Sequence, residues 1–118
     1  MKNLYQEIIE WNITALPENT LEMQWKKVEE ELSEFSETAS DGDLGRFLEE
    51  EADVFIAIVG LMRFDINLGL QKLESFLENI KDSVFEYFFL LDCVQRKFKE
   101  LKKRKYKIVD GVYRHEEE

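Results

Sequence analysis

Residues 50–62 read EEADVFIAIVGLM, and from Ala52 to Met62 this run is apolar apart from Asp53 and Gly60. A helix that is apolar on every side belongs at the centre of a bundle or an oligomer, because none of its faces suits water. We therefore predict a central helix over residues 44–64, in which Asp53 is substantially buried. A buried carboxylate needs a partner cation, a metal ion or a proton.

The flanking sequence predicts further helices. Residues 20–39 carry an apolar stripe at steps of four and three, which is typical of an amphipathic helix; its members are Leu21, Trp25, Val28, Leu32 and Phe35. A shorter first helix is predicted over residues 3–16 and ends at Pro17. Asn19 is the predicted N-cap of the second helix, with Glu22 completing a capping box.

The second half of the chain is also predicted to be helical. Residues 68–105 form one long helix or two helices broken near residues 81–83, and we favour the break because Asp82 and Ser83 are good caps. From about residue 107 we expect a short irregular tail with a turn at Asp110-Gly111. The predicted fold class is all-α, an antiparallel bundle of four to five helices whose core is completed by oligomerisation.

Length and charge narrow the classes of function. The 118 residues predict one domain over residues 1–118, and the net charge of −10 disfavours binding to nucleic acids and anionic membranes. The N-terminus lacks an apolar signal core, and the apolar run over residues 54–62 is too short for a membrane span. Cys93 is the only cysteine, which fits a reducing cytoplasm.

Two carboxylate clusters indicate chemistry. Glu30, Glu31 and Glu34 form the pattern E-E-x-x-E, and Glu50 and Asp53 form E-x-x-D. Each spacing places its carboxylates on one side of a helix. Two such helices side by side would repel each other unless cations lay between them, and Mg²⁺ favours carboxylate oxygens together with substrate phosphates.

The alternative interpretation of these acids is a solvated helix surface, which is common for runs of glutamate. Asp53 fits that alternative poorly, because it interrupts an apolar run. Charge is also segregated: residues 28–53 contain eleven acids and one base, whereas residues 96–107 contain eight bases and one acid. A site for a metal ion and a triphosphate would need both signs, although basic residues also favour helix C-termini in general.

The segments KVEEELSEF (residues 27–35) and EEADVF (residues 50–55) resemble the MazG-type all-α nucleoside triphosphate pyrophosphohydrolases, over residues 20–64. The chain looks like a divergent or phage-type member. The resemblance implies Mg²⁺, with Mn²⁺ as the alternative metal, held by a set of carboxylates: Glu30 or Glu31, Glu34, Glu50 and Asp53. It also implies that Lys27 assists at the phosphates.

The resemblance further implies the reaction. Water attacks the α-phosphorus of a nucleoside triphosphate, and a nucleoside monophosphate and pyrophosphate are the products. Glu31 is the candidate base, and Lys27 is the second catalytic candidate. Late in the chain the candidates for substrate binding are Lys97 and Arg104, but Leu101 occupies the position where an asparagine is expected.

Two alternatives to this function stay open. The chain could be a non-enzymatic, acidic helical interaction protein, or a relative of the phosphoribosyl-ATP pyrophosphohydrolases. Assembly is predicted independently of function. The apolar run over residues 52–62 and the aromatic stretch over residues 85–91 exceed what a monomer of this length is expected to cover, so we predict a homodimer or a dimer of dimers.

Overall fold

The computed structural model describes residues 2–38, 40–79 and 84–116, with side chains omitted for residues 84–89. It is mostly helical, as predicted. The elements in chain order are α1 (Leu4–Ala15), α2 (Leu21–Thr38), α3 (Leu44–Leu61), α4 (Ile66–Asn79), α5 (Val84–Lys102), β1 (Tyr106–Val109) and β2 (Val112–His115). No helix within these described ranges is both long and apolar enough to cross a membrane.

Helix α3 lies at the centre and packs against α1, α2, α4 and α5. Val54, Phe55 and Leu61 are fully buried, which confirms the prediction of a central helix. The four surrounding helices belong to the same chain. The expectation that residues 52–62 need a second copy to cover them is therefore wrong, because folding of one chain already removes this helix from water.

Two helices begin at an aspartate N-cap. The side chain of Asp43 accepts a hydrogen bond from the backbone N–H of Arg46 at 3.1 Å and begins α3. Asp65 accepts from the backbone N–H of Leu68 at 3.1 Å at the start of α4. In both cases an aspartate satisfies an N–H group that the first helical turn leaves without a partner.

The start of α2 differs from the prediction. The Thr20 hydroxyl, rather than the Asn19 side chain, accepts from the backbone N–H of Met23 at 3.1 Å. Asn19 is buried, and its amide nitrogen donates to Asn12 and Gln24 instead. The cap therefore lies one residue later, because Asn19 is committed to contacts with two helices.

Part of the prediction for the second half of the chain lies outside the described residues. The structure has two separate helices there, α4 and α5, but the proposed break at residues 81–83 is not among the residues described. The aromatic side chains of residues 85–89 are also outside the description. The described side chains of α5 begin at Leu90, which is completely buried.

The C-terminal residues form a β-hairpin instead of the predicted irregular tail. Strands β1 and β2 pair antiparallel, from Tyr106 opposite His115 to Val109 opposite Val112. The two turn residues, Asp110 and Gly111, have φ angles of 54° and 78°. Two-residue hairpin turns with positive φ at both positions favour Asp-Gly, because their twist matches that of the strands.

The hairpin packs on α2. The Lys26 Nζ donates to the backbone oxygen of Asp110 at 2.7 Å, and the Tyr113 hydroxyl accepts from the backbone N–H of Glu18 at 3.0 Å. Val112 is completely buried. These contacts place one side of the hairpin against α2, the helix that carries Glu30, Glu31 and Glu34.

Candidate metal and phosphate site

Three carboxylates from the two predicted clusters converge between α2 and α3. Glu31, Glu50 and Asp53 each offer an oxygen, and these oxygens lie within 4.8 Å of one another. Helices α2 and α3 pack closely side by side, and the spacing of three residues puts Glu50 and Asp53 on one face of α3. We refer to Glu31, Glu50 and Asp53 as the carboxylate trio.

Two members of the trio, Glu31 and Asp53, are largely shielded from water, whereas Glu50 is half-buried. Glu31 is 7% exposed and the Asp53 side chain is 19% exposed. One oxygen of Glu31 and one of Glu50, Oε2 in each case, are buried and have no hydrogen-bond partner among the described residues. A buried carboxylate oxygen without a partner is costly, so these two atoms indicate that a cation or a proton belongs here.

The pKa values of Glu31, Glu50 and Asp53 are all raised above their ordinary values. Burial is the largest cause for each of the three, and the negative charge of a neighbouring carboxylate adds to it. The pKa of Asp53 reaches about 7, through burial first and then the charge of Glu31. Three acids that would all be ionised in water at neutral pH therefore resist being ionised together here.

Two lysines partly offset this charge. The Nζ of Lys27 lies 3.1 Å from Oε1 of Glu31, and the Nζ of Lys97 lies 3.7 Å from Oδ2 of Asp53. Lys97 lowers the pKa of all three carboxyl groups, although less than burial raises it. Helix α5 thus returns a lysine to the trio within the same chain, so this contact requires no neighbouring subunit.

The donor set fits a hard divalent cation. It consists entirely of carboxylate oxygens. Glu31 and Glu50 each also have one buried oxygen without a hydrogen-bond partner among the described residues. Mg²⁺ and Mn²⁺ prefer such oxygen ligands, whereas a thiol or imidazole donor would favour softer metals. When all three carboxylates are ionised they carry three negative charges, which is one more than Lys27 and Lys97 neutralise. The trio could therefore hold a divalent metal ion of this kind.

The other two predicted ligands are placed differently. Oε1 of Glu30 accepts from Nη2 of Arg114 at 2.9 Å, and Glu30 lies outside the trio. Glu34 is more exposed and lies next to Glu50, whose pKa it raises through its charge and a side-chain hydrogen bond. The sequence analysis left open whether Glu30 or Glu31 is a metal ligand. In the structure Glu31 lies with the other acids of the trio, whereas Glu30 pairs with Arg114 of the hairpin.

A cleft of about 700 Å³ opens beside the trio. Glu31, Glu34 and Asp53 line it, and the three predicted phosphate contacts line it as well: Lys27, Lys97 and Arg104. Arg104 is partly exposed and lies 3.9 Å from a carboxylate oxygen of Glu100. The cleft therefore brings carboxylates and cations together, although they lie up to 77 residues apart in the sequence.

The hairpin forms a wall of this cleft that sequence reasoning missed. Tyr106, Tyr113, Arg114 and His115 all line it. Tyr106 donates its hydroxyl to the backbone oxygen of Leu101 at 2.9 Å, and burial raises the pKa of Tyr106 to about 12. The Asp-Gly pair gave a signal for the turn, but no local pattern shows which helix a hairpin will cover.

A group of buried amides completes the lining. Asn12 of α1, Asn19 in the connecting loop and Gln24 of α2 line the same cleft and hydrogen-bond to one another. We call these three residues the amide cluster. Single amides scattered over two helices and a loop have no spacing signature, so no sequence pattern indicates them.

Comparison with known proteins adds no relative: no family model, no curated protein and no solved structure matches this chain. The function is therefore inferred from the carboxylate trio, the cations around it and the cleft that they share.

Proposed function

We propose that this protein is a Mg²⁺-dependent nucleoside triphosphate pyrophosphohydrolase, with Mn²⁺ as the alternative metal. The observation that carries the proposal is the convergence of the carboxylate trio, whose oxygens lie within 4.8 Å of one another beside a cleft lined by Lys27, Lys97 and Arg104. The resemblance of residues 20–64 to the MazG-type enzymes supports the same reaction.

The roles of the acids follow from their positions. Glu31, Glu50 and Asp53 would hold the metal, and Glu34 is close enough to Glu50 to assist. When bound, Mg²⁺ supplies neutralisation of phosphate charge and a lowered pKa for water. Glu30 is occupied by Arg114, and we assign it to holding the hairpin against α2.

The cations would bind the phosphate chain. A triphosphate brings several negative charges into a cleft that already holds carboxylates, so its binding requires positive groups on the protein. Lys27 and Lys97 are held beside the trio by ion pairs, and Arg104 lines the cleft just beyond the C-terminal end of α5. Arg104 can bind two phosphate oxygens at once through its planar guanidinium group.

The proposed reaction is hydrolysis at the α-phosphorus. A water oxygen forms a bond to this phosphorus, the bond to the bridging oxygen of the β-phosphate breaks, and pyrophosphate leaves with the electron pair. The water loses a proton to a carboxylate, for which Glu31 is our candidate. Its raised pKa suits a general base better than that of an exposed glutamate.

The test is a panel of nucleoside triphosphates, both ribo and deoxy, together with phosphoribosyl-ATP. Pyrophosphate and nucleoside monophosphate are measured with Mg²⁺, with Mn²⁺ and with EDTA. We expect equal amounts of both products, and we expect EDTA to abolish them. Hydrolysis of phosphoribosyl-ATP alone would favour the histidine-synthesis relative. Absence of pyrophosphate release from every substrate would favour the non-enzymatic interaction protein.

We also propose that the protein assembles as a homodimer or a dimer of dimers. The support lies on α4, where Ile66 and Leu70 are 63% and 50% exposed. Their spacing of four residues puts them on the same face of α4. Burying this face against a second copy would remove apolar surface from water.

A further inference from the structure

The hairpin presents two basic side chains to the cleft. Lys107 of β1 and Arg114 of β2 are direct partners in the antiparallel register, and both line the cleft that contains Glu31 and Asp53. Side chains directly opposite each other on neighbouring strands lie on the same face of the sheet and close together. The wall of the cleft therefore carries two adjacent basic groups, Lys107 and Arg114, which we call the cation pair.

The cation pair has only one acid to balance it. Oε1 of Glu30 accepts from Nη2 of Arg114 at 2.9 Å. Lys107 makes no ion pair within the part of the chain that the structure describes. Like charges directly opposite each other destabilise a pair of strands. An anion bound between these two side chains would therefore relieve a repulsion that Glu30 offsets only in part.

Both members of the cation pair have donors available for such an anion. Guanidinium and ammonium groups each carry several N–H donors. The contacts of the described residues commit one nitrogen of Arg114, to Glu30, and none of Lys107. The Arg114 side chain is 39% exposed, and Lys107 is exposed as well. A ligand in the cleft can therefore reach both groups.

The cation pair lies beside the trio rather than within it. Glu30, the partner of Arg114, directly precedes a member of the trio on α2. On the other strand, Tyr106 directly precedes Lys107. Burial is the largest cause of the raised pKa of Tyr106, and the charge of Asp53 adds to it. Both strands thus reach the surroundings of the trio, so a ligand at the trio can extend to the hairpin.

Charge decides which end of a nucleotide suits this wall. Much of the remaining cleft is lined by the amide cluster and by apolar side chains such as Trp11, Leu16 and Ile56. A base and a ribose are uncharged at neutral pH, whereas the phosphate chain carries the negative charge of the nucleotide. In the proposed reaction the α-phosphate lies at the trio, where Glu31 takes the proton of the water. The β- and γ-phosphates are then the charged groups left for the hairpin.

We propose that the cation pair, Lys107 and Arg114, binds the terminal phosphates of the substrate and selects nucleoside triphosphates over diphosphates; this rests on the proposed function. The pair holds the pyrophosphate that leaves when its bond to the α-phosphorus breaks. Cations at this place also stabilise the negative charge that develops on the leaving oxygen. A diphosphate lacks the γ-phosphate, so it loses contacts with the hairpin that a triphosphate makes.

The test compares kcat/KM for nucleoside triphosphates with kcat/KM for the diphosphates of the same bases, all with Mg²⁺. In parallel, calorimetry measures binding of inorganic tripolyphosphate with Mg²⁺, a measurement that depends on neither the base nor hydrolysis of a nucleotide. We expect triphosphates to exceed diphosphates in kcat/KM by roughly tenfold or more, the value of about one charge-assisted hydrogen bond. We also expect tripolyphosphate to bind.

Lys107→Gln is the first variant, because it removes one charge at an exposed position and leaves the ion pair of Arg114 and Glu30 untouched. We expect it to lower both the ratio of triphosphate to diphosphate kcat/KM and the affinity for tripolyphosphate by roughly tenfold. Lys105→Gln is the matched control. Lys105 is also exposed and lies close by in the chain, but it does not line the cleft, so both quantities should stay unchanged.

Arg114 also helps to hold the hairpin on α2, so a second comparison separates its two roles. Arg114→Gln removes the cation, whereas Glu30→Gln removes only the charge of its partner, and Lys26 and the buried Val112 still hold the hairpin. Arg114→Gln should lower the affinity for tripolyphosphate roughly tenfold. Glu30→Gln should keep or raise it, because a competing anion is gone. Equal losses in the two variants would show that Arg114 only holds the hairpin, which overturns its place in the subsite.

The outcomes separate this subsite from the proposed function. In an active wild type, equal kcat/KM for triphosphates and diphosphates, or an unchanged ratio in Lys107→Gln, overturns the subsite and leaves the proposed function standing. Tripolyphosphate binding that weakens in Lys107→Gln, without hydrolysis of any triphosphate, upholds a phosphate subsite on the hairpin and overturns the proposed function. Neither binding nor hydrolysis overturns both. Lys107→Gln decides these outcomes even where Arg114→Gln does not fold.

Discussion

At the residue scale, Asp53 is the side chain on which the candidate site depends most. It is largely buried, faces two other acids and has Lys97 as its nearest cation. We expect Asp53→Ala to lower Mg²⁺-dependent pyrophosphate release by roughly 100-fold or more, since loss of a ligand should cost at least as much as loss of an outer-shell partner. Helicity should stay nearly intact, because removal of one acid relieves repulsion. Far-UV circular dichroism measures the helicity.

Two further variants test this prediction, one at a second acid of the site and one as a control. Glu34→Gln should also reduce activity, because Glu34 adjoins Glu50 in the cleft region. Glu37→Gln, at an exposed position of α2 outside both carboxylate clusters, should have little effect. Wild-type activity in Asp53→Ala would contradict the assignment of the site.

The pKa of Asp53 predicts how stability depends on pH without metal. It is about 7 in the folded chain and about 4 when unfolded. Between these values the folded state binds a proton that the unfolded state has lost, so the free energy of unfolding decreases as pH rises from 4 to 7. Glu31 and Glu50, with raised pKa values, act in the same direction.

We therefore expect the melting temperature in EDTA to be higher near pH 5 than near pH 8. Thermal melts across this range measure it. Asp53→Asn should weaken the dependence, because one of the three titrating groups is gone. Mg²⁺ at pH 8 should raise the melting temperature of the wild type through binding to the folded state. An unchanged pH dependence in Asp53→Asn would contradict the prediction.

The cations of the cleft should differ in importance. Lys27 is fixed 3.1 Å from Glu31, whereas Arg104 is more loosely paired with Glu100. We expect Lys27→Ala to raise KM for the nucleotide roughly tenfold, as one charge-assisted hydrogen bond would, without disrupting the fold. Arg104→Ala should have a smaller effect. A much larger loss in Arg104→Ala would show that the end of α5 is the main phosphate clamp.

At the scale of elements, periodicity was sufficient for α2 and α3 because each carries its signal within one helix. The stripe and the acid spacings predicted which sides of these helices would meet. The pairs Lys97–Asp53 and Arg114–Glu30 could not be predicted in this way, since they join residues 44 and 84 positions apart. Such contacts depend on how α5 and the hairpin fold back, and no local spacing encodes that.

The choice of the N-cap of α2 also depends on tertiary contacts that local sequence does not encode. Asn19 and Thr20 are both good caps, and the choice of Thr20 follows from a tertiary network that occupies Asn19. The hairpin had a usable signal in Asp110-Gly111, but its short strands carry little apolar alternation. The cleft wall formed by the hairpin was accordingly the largest omission of the sequence analysis.

The hairpin turn can be tested with two Gly→Ala substitutions that should change the free energy of unfolding in opposite directions. Gly111 has a φ of 78°, a conformation that strains an L-residue with a Cβ atom. Gly111→Ala should lower the free energy of unfolding by about 1 kcal/mol. Gly45 lies in α3 with room for a Cβ atom, so Gly45→Ala should raise it by about 0.5–1 kcal/mol. Denaturant titration measures both, and equal signs would contradict this account of the turn.

At the scale of the whole molecule, one chain covers its own central helix. Residues 52–62 do not require a partner to cover them, because four helices of the same chain surround α3. The part of the assembly prediction that rests on the aromatic stretch over residues 85–91 stays a prediction, since the side chains of residues 85–89 lie outside the description. Among the described residues, α4 offers an exposed apolar face for association at Ile66 and Leu70, and single apolar side chains are exposed elsewhere at Ile13, Leu21, Leu44 and Ile108. The proposed dimer thus depends on surface chemistry rather than on completion of the core, and its subunits should be able to fold separately.

Association through the surface of α4 can be tested without disturbing the core. Light scattering at micromolar concentration should give the mass of two or four chains. Leu70→Glu should reduce it to one chain while far-UV circular dichroism stays unchanged, because a charge on the α4 face opposes association without entering the core. The matched control is Gln71→Glu, at the next exposed position of the same helix, which should leave the mass unaltered. A monomeric wild type would refute the dimer, and a folding defect in Leu70→Glu would show that α4 depends on its partner for stability.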